Sequence, residues 1–288
     1  MKRVPAASVG LLVVAAAAGT IADRPQVRPP LWIGGYRVLA VDFHVHAFPL
    51  SASTLAPWDL VLEARRQALD AIAITGHNQV ESGLVGRWFA RLAGGPTVIV
   101  GEEIHTPGYH MIAAGIHSTI SWRNSAAQSI AEIHRQGGVA IAAHPVRAAW
   151  PAFDAQAMAA LDATEVMQPI AYGYRFGARD LRDFYQRAPL AAVGSSDYHG
   201  VGPLGLCRTY VFARDDSEQA ILQAVRERRT VVYDGDGRAW GDAELIRLAG
   251  TRLREREPGP AGALDWFSRV CGLLGLLALV LYRPTLRS

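Results

Sequence analysis

Residues 38–46 read Val-Leu-Ala-Val-Asp-Phe-His-Val-His, an apolar run of strand length that ends in two imidazoles. His44 and His46 stand two apart on an extended segment, so both side chains leave the same face. Further apolar runs lie at 71–75, 98–101, 111–116, 139–143, 163–167, 190–193 and 209–213. They are near-continuously hydrophobic, as parallel strands buried on both faces are. Helical patterns separate most of them. Ser125-Ala-Ala-Gln128 is a capping box that opens a helix carrying Ile130 and Ile133, and Gly137-Gly138 stops it. Ser217 opens another, with Ile221, Leu222 and Val225 on one face and Arg226 to Arg229 closing it. Such alternation, with no repeated motif, predicts an α/β fold on a parallel sheet between about residues 36 and 245.

The chemistry-bearing residues choose between an open sheet and a barrel. His44 and His46 follow the first run, His77 the second and Glu103 the third. His144 follows 139–143, and Asp197 and His199 follow 190–193. An open sheet collects such residues only at a switch point, whereas a barrel brings every strand end to one rim. A barrel is therefore expected, with a cluster of imidazoles and carboxylates on its rim. Those ligands without a thiolate suit Zn, Mn or Fe and exclude a structural cysteine site. Composition agrees: the chain has 288 residues, 50% hydrophobic and 19% charged, which is too apolar for disorder. Its two cysteines, Cys207 and Cys271, give no disulfide framework. Scattered arginines at a net charge of +3 give no basic stripe for specific nucleic-acid binding.

Taken as an ordered set, Val41-Asp-Phe-His-Val-His46, Ala73-Ile-Thr-Gly-His-Asn78, Gly101-Glu-Glu103, Gly137-Gly-Val-Ala-Ile-Ala-Ala-His-Pro145 and Gly194-Ser-Ser-Asp-Tyr-His199 resemble the motifs of the PHP (polymerase and histidinol phosphatase) superfamily. The resemblance runs from about residue 38 to 235, and its tail at 220–235 is similar to that of a membrane-anchored or exported branch. It implies a distorted (βα)7 TIM-like barrel that hydrolyses phosphoesters with two or three divalent metal ions. Carried over, it puts His44, His46, Glu103 and Asp197 around one metal, and Glu103 as a bridge to a second held by His110 and His144. His77 and His199 would face a third. Glu102 competes with Glu103 as the bridge, and His105 competes with His110. Two positions depart from the family pattern, where an acidic residue or histidine is replaced by Ser51 and an aspartate by Gly76, so the third site is short of ligands. Arg147, three residues past His144, and Arg175, after the 163–167 run, are candidate phosphate clamps on the rim.

The two ends differ from the middle. Residues 4–22 carry no charge and follow Lys2-Arg3, as in a signal peptide or N-terminal anchor. Residues 270–282 are again uncharged, and extending the stretch to Trp266 includes only Arg269, which can snorkel beside aromatic residues. The expected organisation is a signal or anchor at 1–30, the barrel at 31–245, a linker at 246–263 and a transmembrane segment with a short tail at 264–288. Arginines flank both sides of these segments, so their charge leaves orientation open. The signal-like start places the domain outside the cytoplasm.

The function expected is metal-dependent phosphoester hydrolysis by a hydroxide shared between two metal ions, with Glu103, His199, His77 and Arg147 in the catalytic set. A phosphodiester or phosphomonoester is the expected substrate, a nucleotide or oligonucleotide among the candidates. The alternatives are an ester, amide or carbamate hydrolase on the same metals, and a non-catalytic membrane-anchored binding protein.

Overall fold

The computed structural model describes residues 6–22, 29–169, 173, 176–200, 202–253 and 262–281. They fall into two compact units, residues 27–256 and the two chain ends together, 1–26 with 257–288.

The larger unit is built on one eleven-stranded sheet: β1 (Leu31–Ile33), β2 (Tyr36–Val45), β3 (Ala71–Ile74), β4 (Thr97–His105), β5 (His110–Ala114), β6 (Val139–Ala142), β7 (Ala163–Met167), β8 (Ala191–Gly194), β9 (Thr209–Ala213), β10 (Thr230–Tyr233) and β11 (Ala239–Gly241). The order is β11-β10-β9-β2-β3-β4-β5-β6-β7-β8, with β1 against β2. Each apolar run read from the sequence is a strand. Their directions differ from the all-parallel expectation. β5 is antiparallel to both β4 and β6, and β9 is antiparallel to β2. The reversal of β5 follows from its connection. Only residues 106–109 separate it from β4, and so short a link can join antiparallel strands only.

The sheet curls until β8 approaches β9 and β10. Thr209 Oγ1 donates to the Gly194 carbonyl (2.9 Å) and accepts from the Gly194 amide (3.0 Å), standing in for missing ladder bonds. Gly194 is needed there, because a Cβ would lie 2.7 Å from Val232 Cγ1 and 3.1 Å from the Arg208 carbonyl. Inside the curl sit alternate strand residues, among them Leu39, Val41, Phe43, Ala73, Ile99 and Val193, which the helix Glu218–Arg226 caps with Ile221, Leu222 and Val225. The opposite strand faces pack outward, Ile72 and Ile74 against Leu60, Val61 and Ala64 of the helix Pro57–Arg66. The product is a distorted, nearly closed α/β barrel.

Both predicted caps are present: Ser125 Oγ accepts from the Gln128 amide (3.3 Å), and Ser217 Oγ from that of Ala220 (3.2 Å). The packed domain runs past the expected boundary at residue 245. The helix Ala243–Ala249 follows, and Leu253 is fully buried in the core, so what was read as the start of a linker is structured. Its apolar Leu245, Ala249 and Leu253 carry that packing.

In the terminal unit the helices Ala6–Ala22 and Ala263–Leu281 pack against each other. The second is long and apolar enough to cross a membrane. Tyr282, the flanking Lys2, Arg3, Arg24, Arg28, Arg254, Arg256, Arg283 and Arg287, and the rim candidate Arg175, lie outside the described residues.

Candidate metal centre

Six strands deliver the cluster. His44 and His46 lie at the end of β2, His77 just past β3, Glu103 near the end of β4, His144 past β6, and Asp197 and His199 past β8. His110 is the first residue of β5, and because that strand runs backwards its start lies on the rim where the others end. Pairing of His105 with His110 keeps that register. His144 (φ 29°) and Asp197 (φ 48°) hold left-handed backbone, a conformation that costs a non-glycine residue about 1–3 kcal/mol and is concentrated at functional sites.

Glu103 is the hub. Its Oε2 lies 3.4 Å from Nε2 of both His44 and His46 and 3.0 Å from His77 Nε2. Its Oε1 lies 3.0 Å from His110 Nδ1 and 3.2 Å from His144 Nε2. Asp197 Oδ1 approaches the first set, 3.3 Å from His44 Nε2, 3.1 Å from His46 Nε2 and 3.4 Å from His199 Nδ1. Among the described residues, four groups have donor atoms close enough to share one ion: His44, His46, Glu103 and Asp197; Glu103, His110 and His144; His46, His77 and His199; and His77, Glu103 and His105. His44 and His46 are fully buried, whereas the side chains of His77, His110, His144 and His199 are each between 22% and 32% exposed.

Behind the ligands stands a second layer, in which Glu165, Gln168 and Asp42 are not residues that the sequence singles out as candidates. Glu165 on β7 is fully buried; its Oε1 accepts from His44 Nδ1 (3.0 Å) and from the Ser195 hydroxyl, and its Oε2 accepts from the His144 amide (2.5 Å). That bond keeps a proton on His44 Nδ1, so that a bound cation would displace only the Nε2 proton and find that lone pair turned into the cluster. Gln168 donates to Asp197 Oδ2 (2.7 Å). Asp42 accepts from the amides of His44 (3.2 Å), Ser196 (3.0 Å) and Gly205 (2.9 Å) and from the Ser196 hydroxyl (2.5 Å), fastening the segment that carries Asp197 to β2. Ser51 bridges two imidazoles, with its Oγ 2.9 Å from His46 Nδ1 and 3.3 Å from His77 Nδ1. A side chain at Gly76 would occupy the space taken by the Gln79 amide.

Burial alone would depress the His44 pKa, but the charges of Asp197, Glu103 and Glu165 outweigh it and raise the value well above the ordinary histidine range. Against the upward pull of burial, the His44 charge and the close imidazoles of His110 and His144 hold Glu103 well below the carboxylate range. Asp197 is held low in the same way, by His44 and His46. His46 is pushed down to about 4 by burial, with the His44 charge adding to it. Burial raises Asp42 to about 6 against its four donors. The hollow is electronegative and favours a cation.

The residues fit bound metal. Glu103 Oε1, His110 Nδ1 and Asp197 Oδ1 are buried without a hydrogen-bond partner, and lone-pair donors facing one another at these distances repel unless positive charge stands between them. Glu102 is excluded as the bridge. Successive strand residues face opposite ways, and its Oε1 instead accepts from the Ile120 amide (2.6 Å). Arg147 is placed apart from the cluster partners. Its guanidinium is paired with Asp180 (3.4 Å) and Asp183 (3.2 Å) and lies over the Trp150 ring, so its fork is already engaged by carboxylates. His134 pairs with Asp162 (2.8 Å) at the helix surface.

Three comparisons with known proteins bear on this barrel. Residues 179–230, which include Asp197 and His199, match the PHP-associated family model. An uncharacterized protein of Methanocaldococcus jannaschii is 28% identical over 119 residues, 37% of this chain and 68% of that one. A solved two-domain protein of Bacteroides vulgatus, described as containing a predicted PHP-like metal-dependent phosphoesterase, is 23% identical, with a TM-score of 0.61 over 77% of this chain and 73% of its own. The fold is therefore similar to that of a PHP-like barrel, and the segment bearing Asp197 and His199 carries the PHP-associated pattern.

Proposed function

We propose that this chain is a metal-dependent phosphoesterase of the PHP superfamily that holds two divalent ions and is attached to a membrane by its terminal segments, its barrel on the extracytoplasmic side. The observation that carries the reading is the division of one buried carboxylate. Glu103 Oε2 faces His44 and His46 with Asp197, while Oε1 faces His110 and His144. These residues would hold the two ions as adjacent sites with Glu103 in common. When bound, the ions would supply Lewis acidity toward a phosphoryl oxygen and lower the pKa of water toward neutrality.

The chain's own groups do the rest. Glu165 and Ser51 orient His44 and His46, so that both offer Nε2. His199 Nδ1 donates to the Asp197 carbonyl (2.9 Å), so in the imidazolium form Nε2 would give its proton to the leaving oxygen and later regain one from water. His77, held between Ser51 and Glu103, is the second candidate for that step. With Ser51 engaged by two imidazoles and Gly76 lacking a side chain, a third ion beside His77 and His199 must share His46 or Glu103 with the other sites, and it binds weakly or only together with substrate. Arg147 has no part in this reading.

Elemental analysis of the purified full-length protein, combined with turnover of a phosphodiester, a phosphomonoester and a carboxylic ester, tests the proposal. Two equivalents of Zn, Mn or Fe with phosphoester turnover is the expected result. Turnover of the carboxylic ester alone would overturn the phosphoesterase reading and favour the ester or amide alternative. Glu103→Gln should lose both metal and at least about 100-fold in rate, since a neutral amide bridges cations poorly.

A further inference from the structure

The two terminal helices are joined by a register that neither would need as an independent anchor. Ser8 and Leu12 lie against Gly275, Ala15 against Gly272, and Gly19 against Ser268. Residue numbers rise along one helix as they fall along the other, so the pair is antiparallel. The contact is made through small residues. An added Cβ at Gly275 would lie 2.9 Å from Leu12 Cγ and 3.2 Å from the Ser8 carbonyl, and one at Gly19 would lie 3.0 Å from Ser268 Oγ. Ser8, Ala15, Ala18, Cys271 and Gly275 are buried in the pair. Ser268 Oγ donates to the Ala15 carbonyl (2.8 Å), a bond between helices that is independent of the close approach. Small residues and interhelical hydroxyl bonds are the means by which helices associate in lipid, where no hydrophobic force drives them together.

The outside of the pair has the opposite character. Val13, Leu273, Leu276, Leu277, Val280 and Leu281 are all exposed, between 52% and 79%. The helices have 17 and 19 residues, about 26 and 29 Å at 1.5 Å per residue, close to the roughly 30 Å hydrocarbon core of a bilayer. Their charged residues are confined to one end. Ala6–Ala22 has none, and Ala263–Leu281 has Asp265 and Arg269, both in its first two turns, with Arg269 lying over the Trp266 ring (5.3 Å). In the antiparallel register that end is level with Ala22, the end from which both helices continue along the chain to residues 27–256. It has the aromatic and cationic make-up of a membrane–water boundary.

We infer that the two terminal helices form one helical hairpin whose partner is the lipid bilayer, and that the N-terminal helix is retained as half of this anchor and is not removed as a signal peptide. Both chain ends then emerge on the same side, with the barrel on the other. The inference rests on the membrane attachment proposed above, but goes beyond it in assigning the N-terminal helix a permanent partner.

The experiment uses full-length protein carrying Ala15→Cys and Gly272→Cys in a Cys271→Ala background, expressed in bacterial membranes. A Cβ at residue 272 lies 3.7 Å from that of Ala15, within the roughly 3.5–4.5 Å range of disulfides. Oxidation should link the two ends in membranes washed with carbonate, and intact mass should show residues 6–22 still attached. A control pairing Ala15→Cys with Leu276→Cys, whose side chain points outward, should not link. A mature chain beginning after Ala22, or a retained helix that fails to link in washed membranes, would overturn the inference. Release of linked protein into the carbonate wash would overturn the membrane partner and the attachment with it, leaving phosphoester turnover as a separate question.

Discussion

Replacing Glu102 by glutamine should change stability in a way that depends on pH. The residue is fully buried, and burial, reinforced by the nearby charge of Glu81, raises its pKa from 4.5 to about 7. Between those values the folded chain keeps a proton that the unfolded chain has lost. The stability Glu102 contributes is therefore complete below about pH 4.5 and is lost as pH rises through about 7. The difference between about 7 and 4.5 corresponds to roughly 3 kcal/mol. Glutamine keeps the acceptor for the Ile120 amide but does not ionise. Its new amide group, where Glu102 Oε2 has no partner, costs about 1–3 kcal/mol at every pH. That constant cost cancels when the variant's effect at pH 8 is compared with its effect at pH 5. What remains is a relative gain of about 2.5 kcal/mol at the higher pH, because part of the effect is already lost at pH 5, or about 5–10 °C in Tm for a domain of this size. Thermal unfolding of metal-stripped protein in detergent at both pH values measures it. An equal effect at the two pH values would refute the buried, proton-holding carboxylate, and loss of metal from the variant would refute its exclusion from the cluster.

Glu165→Gln should lower metal affinity about 10–100-fold while the chain stays folded, because the amide cannot hold His44 and the His144 backbone as the carboxylate does; equilibrium dialysis against chelator checks it. Asp42→Asn turns an amide group toward donors already aimed at Asp42 and should cost about 1–3 kcal/mol, read by chemical unfolding. Deleting residues 1–28 and 257–288 should leave a soluble domain with the full chain's metal content, as gel filtration and elemental analysis would show.

How much of this was legible in the sequence depends on range. The strands at 38–43 and 190–193 were readable because burial on both faces writes a continuous apolar run, and their ends announced His44, His46, Asp197 and His199. The direction of β5 was not, since an apolar run carries no arrow; the shortness of the 106–109 link was the available clue. Glu165 and Asp42 went unnoticed for a related reason. Each was read as part of a strand or motif, though a carboxylate inside a fully buried run such as Ala163–Met167 needs a partner, and that need is itself a signal. Arg147 shows the converse: its proximity to His144 in sequence says nothing of Asp180 and Asp183, which reach it from another helix.

The hairpin between β4 and β5 sets a limit on how this site can diverge. Glu103 and His110 sit on its two arms, and Thr106 clamps the turn by accepting from the amides of Gly108 (3.1 Å) and Tyr109 (2.9 Å) and donating to the Tyr109 carbonyl (2.7 Å). One residue inserted there would shift the register and send the His110 side chain to the other face of the sheet. The segments after β2 and β8 are fixed at a few points, Ser51 in the first and Ser196 and Gly205 in the second, and can change length between them. Drift in length, and with it any change in what the rim accepts, is channelled into those loops, while the β4–β5 turn is held to a fixed count of residues.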